Sequence, residues 1–432
     1  MAQNFELSCR ACGATYRDHD YRVFCQVCGR DAFLYTRYQG PYVLKGEEAH
    51  FASYVDWVPV ASLLGAPGPT MAAIPGGPLG AKLGLRNLWV LISGNVPVHG
   101  ARFVTGTFKE TEALGVLSRV VEQTKKTLII SSAGNAARAF LEYGARLGIP
   151  MIVVVPASAV PELMIKSGAG SGPKPLLLSI KDSVYMDAIR FVDAAVAEYP
   201  EKLVREGGAF NVGRRDAMAV PFLFAIRKMR RLPDWYFQAV GSATGAIAAW
   251  EASQRLVEHG MVAPHAMRCF LVQNEPFTPI ADAWREGRRQ VVSMAEDVAR
   301  RKLSEVKASV LSNAQPPYAV RGGVYDVLSG SNGAMETVTN GEIDDAIARV
   351  RDTLGFSPCP AGGAAVAGLI RAKNAQRVHA DAQILLHVTG AGFDEMTQEN
   401  GYHKCDWAVE IERGNATAGF SAIGKYLEAN AR

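Results

Sequence analysis

Continuous apolar, β-branched runs recur along the chain at 127–131, 150–156, 175–180, 235–240, 268–273 and 383–388. A strand with one wet face alternates apolar and polar positions. These runs do not alternate, so they predict strands buried on both faces. Between them lie stretches with helical spacing at 110–122, 135–147, 184–198, 246–258 and 342–354. Strand, glycine-rich turn and helix in repetition predict an α/β fold of parallel sheets with helices on both faces. The Pro- and Gly-rich stretches 65–80 and 168–175 predict loops.

The chain has 432 residues, enough to bury a large core without staples. It is 48% hydrophobic and 20% charged, which excludes a disordered, collagen-like or coiled-coil protein. Lys and Arg total 46 against 42 Asp and Glu, a net charge of +4. That balance argues against nucleic acid as a partner, while a local basic pocket for small anions stays compatible with it. No apolar run reaches the roughly 18 residues of a membrane helix. The first ten residues, MAQNFELSCR, lack the pattern of a signal peptide. A cytoplasmic protein with no membrane partner is expected.

Cys9, Cys12, Cys25 and Cys28 form two CxxC pairs within the first 28 residues. Each pair sets two thiolates on one turn, and two such turns supply the four soft ligands of a tetrahedral zinc site. A structural zinc ribbon over 1–38 is expected. The alternatives are a ribbon that has lost its metal and, less economically, a redox pair. Few basic residues accompany its aromatics, so a structural appendage fits better than a nucleic-acid reader.

Ligands of open parallel sheets bind beyond the carboxyl ends of strands. Three such turns are unusual. Ser131-Ser132-Ala133-Gly134-Asn135 follows a strand and opens a helix, where small residues and a positive helix end favour an anion. A plain turn capped by Asn135 explains it equally well. Gly241-Ser242-Ala243-Thr244-Gly245 offers backbone amides and two hydroxyls, a cradle for a phosphate monoester. It lacks both the dinucleotide fingerprint and the Lys-Ser/Thr ending of a nucleoside-triphosphate loop. Thr389-Gly390-Ala391-Gly392 ends the last predicted strand and presents one hydroxyl. A fourth piece, Thr105–Glu110 (TGTFKE), starts a helix with Lys109. A lone lysine is ordinarily a solvated charge; beside a phosphate cradle it is a Schiff-base candidate.

In this order, the four pieces resemble the fold type II pyridoxal-phosphate enzymes, related to the tryptophan synthase β-subunit, over roughly 85–395. The cysteine segment ahead of Lys109 looks like the threonine synthase and cysteate synthase family. The stretches 105–113 (TGTFKETEA), 132–140 (SAGNAARAF) and 236–251 (YFQAVGSATGAIAAWE) look closest to cysteate synthases.

The resemblance implies two parallel-sheet, three-layer domains behind the ribbon. A large cofactor-binding domain would comprise 39–110 and 209–432, and a small mobile domain 111–208 would close over the substrate. Lys109 would hold pyridoxal 5′-phosphate and move protons. Asn135 would bond the cofactor's phenolic oxygen, the loop Gly241, Ser242, Ala243, Thr244 and Gly245 its phosphate, and Thr389 its ring nitrogen. Ser132, Ala133 and Gly134 would hold the substrate carboxylate. The implied reaction is β-replacement on O-phospho-L-serine through an enzyme-bound aminoacrylate, with sulfite as the nucleophile and L-cysteate and phosphate as products. A homodimer is also implied.

Two anionic reactants need a second anion site, for which Arg214 and Arg215 in Asn211–Asp216 (NVGRRD) are the candidates. Neighbours on a helix diverge, so one would reach the substrate and the other would be a surface charge. Arg321, Lys181, Arg102 and His403 are further candidates. His387, inside a buried strand, reads as a core histidine. The chain departs from the family pattern with Ala243 in the phosphate loop and with Ala217 and Ala219 where glycines are expected. The alternatives are a threonine synthase acting on O-phosphohomoserine, β-replacement with another nucleophile, and a non-enzymatic zinc-ribbon protein binding nucleic acid.

Overall fold

The computed structural model describes residues 4–132, 134–166, 173–399 and 401–430. Two parallel sheets dominate. The larger has six strands in the order Ala334–Val338, Arg268–Asn274, Trp235–Ala239, Gln383–Val388, Asn87–Ile92 and Ala72–Pro75. All neighbours in it are parallel except the edge strand Ala72–Pro75. That strand lies wholly, and the helix Gly77–Leu83 partly, in the stretch 65–80 read as a loop. The smaller sheet has five parallel strands: Leu203–Arg205, Thr127–Ser131, Met151–Pro156, Leu176–Ile180 and Val409–Ile411. Side chains such as Val90, Phe237, Leu386, Ile129, Ile152 and Val153 are fully buried, as continuous apolar strands require.

The C-terminal stretch does not stay with the larger sheet, as a 209–432 unit would have it. Val409–Ile411 covers the edge of Leu176–Ile180, and the helix Ala416–Ala429 packs Ile423 and Leu427 beside Ile129 and Leu178. An open edge strand is thereby paired and capped.

The first residues form a three-stranded antiparallel sheet of Thr15–Tyr16, Phe5–Cys9 and Leu34–Tyr38. It is welded to the body. Asp18 and Arg119 form a fully buried ion pair with bonds of 2.6 and 2.8 Å. Phe33 meets Phe210 edge-on at 4.8 Å. Arg119 lies on the helix Lys109–Gln123, so the ribbon touches the element that opens with the candidate lysine.

The helix Lys109–Gln123 also crosses the helix Val212–Met229 at close range. A Cβ at Gly115 would lie 2.4 Å from the Ala217 methyl and 2.6 Å from the Gly213 carbonyl. Alanine is therefore accommodated at 217 because the opposing position is glycine.

Candidate active site

Lys109, Ser132, Gly134, Asn135, the loop Gly241–Gly245 and Thr389 line one cavity between the two sheets. Each stands just beyond a strand's carboxyl end or at a helix start, where parallel sheets place ligands. Phe108 N–H donates to the Thr389 carbonyl at 3.1 Å, which pins the lysine turn to the end of the strand Gln383–Val388. Tyr185, Arg214, Met218, Gln238 and Ala361 complete part of the wall. Neither Tyr185 nor Ala361 carries a motif in the sequence, and Gln238 lies in the stretch 236–251 with no role implied for it there.

Lys109 Nζ donates to Glu112 Oε2 at 2.7 Å across the first helical turn. Burial pushes the amine's pKa down; Arg214 adds to that and Glu112 opposes it. Glu112 is fully buried and its other oxygen meets Arg214 at 2.8 Å. Arg214 is also held by Glu206 at 2.8 Å. Burial pushes the Glu206 carboxyl up, with Arg214 opposing.

Ser132 Oγ accepts from Gly134 N at 3.1 Å and Ala137 N at 2.9 Å, so its hydroxyl, rather than Asn135, caps the helix Asn135–Leu147. Gly134 has φ +148°, a conformation that favours glycine. Ala133 lies outside the described residues. The loop at 241–245 opens the helix Thr244–Glu258, and Ser242 Oγ meets Thr244 Oγ1 at 2.8 Å. Ala243 sits at φ +57°, the left-handed region where the family pattern carries glycine.

The two arginines divide differently from the expectation. Arg215 is not a surface charge and is not at the cavity. It is buried, bonded to Glu251 at 3.0 Å and to the Ala209 and Leu34 carbonyls, and stacked 4.7 Å from the Phe33 ring centroid. These partners occupy its fork, so it is not free to hold a substrate anion. Arg214 reaches the cavity but carries two carboxylates. Arg321 joins the ribbon through its backbone to Asp31 and Phe33, with its side chain exposed. Lys181 pairs with Glu410 and Glu412 on the surface. His387 is 2% exposed, bonded to Ser93 at 2.9 Å and Tyr236 at 2.7 Å, and burial pushes its pKa down to about 3.

The model of the family described as pyridoxal-phosphate dependent enzyme matches residues 99–390, which contain every one of these cavity residues. The chain belongs to the pyridoxal-phosphate dependent enzyme family. It is 40% identical to the cysteate synthase of Methanoregula boonei over 389 residues, 89% of each chain. It is 38% identical to that of Methanoculleus marisnigri, covering 97% of this chain and 96% of the relative. Among solved structures, maize serine racemase superposes with a TM-score of 0.56 at 15% identity, covering 84% of this chain and 94% of that one. A threonine deaminase from Solanum lycopersicum gives 0.54 at 17% identity, covering 77% and 88%. At such identities these two show the fold alone.

The cavity fits the family's cofactor. It offers a desolvated primary amine, a helix start with two hydroxyls for a phosphate, and two polar side chains without hydrogen bonds among the described residues, Asn135 and Thr389. The chain is thus a pyridoxal-phosphate-dependent enzyme.

The cysteine expectation is met as a geometry. The sulfurs of Cys9, Cys12, Cys25 and Cys28 all lie within 4.8 Å of one another. Tetrahedral zinc–thiolate bonds put sulfurs about 3.8 Å apart, close to the 3.7 Å between Cys12 and Cys25. The group can hold zinc. No helix among the described residues is long and apolar enough to cross a membrane.

Proposed function

We propose that this enzyme converts O-phospho-L-serine and sulfite into L-cysteate and phosphate. The observation that carries the reading is the likeness to cysteate synthases across about nine-tenths of both chains. The cavity's chemistry supports it. Pyridoxal phosphate, when bound, supplies the electron sink that makes the substrate's α-proton removable. Lys109 would hold the cofactor, and its free amine would take the substrate's α-proton. Its depressed basicity suits both tasks, since a neutral amine is needed each time. Glu112 keeps the freed amine near its working position at 2.7 Å. Gly241, Ser242, Ala243, Thr244 and Gly245 hold the cofactor's phosphate through amides and hydroxyls. Asn135 would bond its phenolic oxygen, and Thr389 would serve its ring nitrogen. A neutral hydroxyl at 389 does not force protonation of that ring, which favours elimination and replacement over transamination. Ser132 and Gly134 anchor the substrate carboxylate at the helix start.

The body built on 111–208, with 401–430 attached, closes over the substrate and keeps water from the β-carbon. Two copies of the chain assemble as a dimer in the cytoplasm. The purified holoenzyme tests the reading. O-phospho-L-serine should change the visible spectrum, and sulfite should yield cysteate together with the released phosphate. A spectrum untouched by O-phospho-L-serine but changed by O-phosphohomoserine would replace the donor. Phosphate release without cysteate would replace the nucleophile.

A further inference from the structure

A second cavity adjoins the cofactor cavity and shares Gly134, Asn135, Tyr185, Val310 and Ser312 with it. Among the described residues that line it, the one deeply buried cation is Arg138, one turn beyond Asn135 on the same helix and 5% exposed. The other two cations on its wall are already neutralised. Arg300 is paired with Asp187 and Glu296 at 2.9 and 2.8 Å, and Lys307 with Asp344 at 2.7 Å. Arg138 has no carboxylate within ion-pairing distance among the described residues. Its bonds run to the backbone carbonyls of Thr105 at 3.2 Å and Glu162 at 2.8 Å, and its Nε, buried, has no partner among the described residues. The guanidinium lies 4.6 Å from the Phe393 ring centroid, which fixes its plane.

The Glu162 carboxylate on the same wall acts on it only from beyond ion-pairing distance. A buried charge without a direct ion pair is costly, and such charges are found paired or poised for a ligand. A guanidinium with an unused N–H is shaped for a multi-oxygen anion. We propose that Arg138 binds the oxyanion at the substrate's β-position, first the leaving phosphate and then the incoming sulfite. This rests on the proposed reaction. In it the Cβ–O bond breaks and phosphate leaves with the electron pair. The sulfite sulfur lone pair then forms the Cβ–S bond at the same carbon. One cation in the adjoining cavity, which shares Gly134 and Asn135 with the cofactor cavity, would serve both anions in turn. Arg214 and Arg215, bound to carboxylates, do not supply it.

The test titrates holoenzyme with inorganic phosphate by calorimetry, for wild type, Arg138→Met and Arg138→Lys. Loss of one charge-assisted contact weakens binding by about 10- to 100-fold. Phosphate affinity of Arg138→Met should fall by that factor, and its KM for O-phospho-L-serine should rise more than its kcat falls. L-serine lacks the β-anion, so its affinity, read from the visible spectrum, should stay at the wild-type value. A purely structural arginine would change both ligands together. Arg138→Lys keeps the charge but loses the fork, and should bind phosphate several-fold more weakly than wild type. It decides the matter if Arg138→Met does not fold. Wild-type phosphate affinity in whichever variants fold overturns the proposal. If wild type makes no cysteate yet binds phosphate through Arg138, the reaction is wrong and the anion site stands.

Discussion

Lys109 and Glu112 face each other across one helical turn, Nζ to Oε2 at 2.7 Å, and Glu112 shares its other oxygen with Arg214 at 2.8 Å. The carboxylate is therefore the counterweight to burial and to Arg214, which both push the amine's pKa down. Glu112→Gln removes the largest contribution that raises it, leaving only the smaller one from Glu206 against burial and Arg214. Capture of pyridoxal phosphate needs the neutral amine. The pH midpoint for reconstituting the apoenzyme, followed by visible absorbance, should move downward. An unmoved or upward midpoint would mean that Glu112 does not govern Lys109.

Lys109→Ala removes the only amine among the described residues that line this cavity. The visible band of the cofactor–lysine linkage should vanish. Phosphate release from O-phospho-L-serine should drop by at least about a hundredfold, the lower range for losing a proton-transfer group. An unchanged spectrum would take the cofactor away from this residue.

Glu110, the next residue, shows a second pH dependence. It is fully buried and bonded by Tyr143 O–H at 2.9 Å, and burial raises its pKa from 4.5 to about 7. The folded state then holds a proton that the unfolded state gives up earlier. That stability is complete below pH 4.5 and is lost as pH rises to about 7. The shift corresponds to about 3 kcal/mol. Glu110→Gln, neutral at every pH, should flatten the stability profile across this window in urea unfolding. A variant that keeps the wild-type slope would assign it to another group.

The strands and the four chemical turns were legible because their signals are local. A buried parallel strand shows as a continuous apolar run, and a ligand turn as small and hydroxyl residues after it. What joins distant segments was not legible. Asp18 and Arg119 are 101 positions apart, and neither sits in a motif. Val409–Ile411 is three residues long, too short to show a period, and only its pairing with Leu178–Ile180 identifies it as a strand. The arginine pair in NVGRRD suggested an anion site because nothing in the sequence reveals that Glu112, Glu206 and Glu251 neutralise it. Arg138, inside an alanine-rich helix, looked like one polar position among many.

Ala243 holds a left-handed conformation, φ +57° and ψ 15°, at the turn into the helix Thr244–Glu258. A Cβ in that region costs about 1 kcal/mol relative to glycine. Ala243→Gly should stabilise the apoenzyme by about that amount in thermal or denaturant unfolding, with cofactor affinity kept. Destabilisation would show that the buried methyl packs better than the strain it causes.

The cysteine ribbon is predicted to matter well beyond its own strands. Its four sulfurs sit at zinc-binding separations, and its strands hold Asp18 and Phe33 against Arg119 and Phe210. Loss of one thiolate weakens the metal, and a loosened ribbon withdraws Asp18. Arg119 is then left as a buried guanidinium on the lysine helix, a defect worth about 3–5 kcal/mol. Cys9→Ser should lower zinc from one ion per chain, measured by elemental analysis, and lower Tm by several degrees. Cofactor retention should decline in step, because the helix Lys109–Gln123 carries both Arg119 and Lys109. Full zinc with unaltered melting would show that Cys9 is not a zinc ligand. Zinc loss without a change in melting would show that the ribbon does not brace the lysine helix.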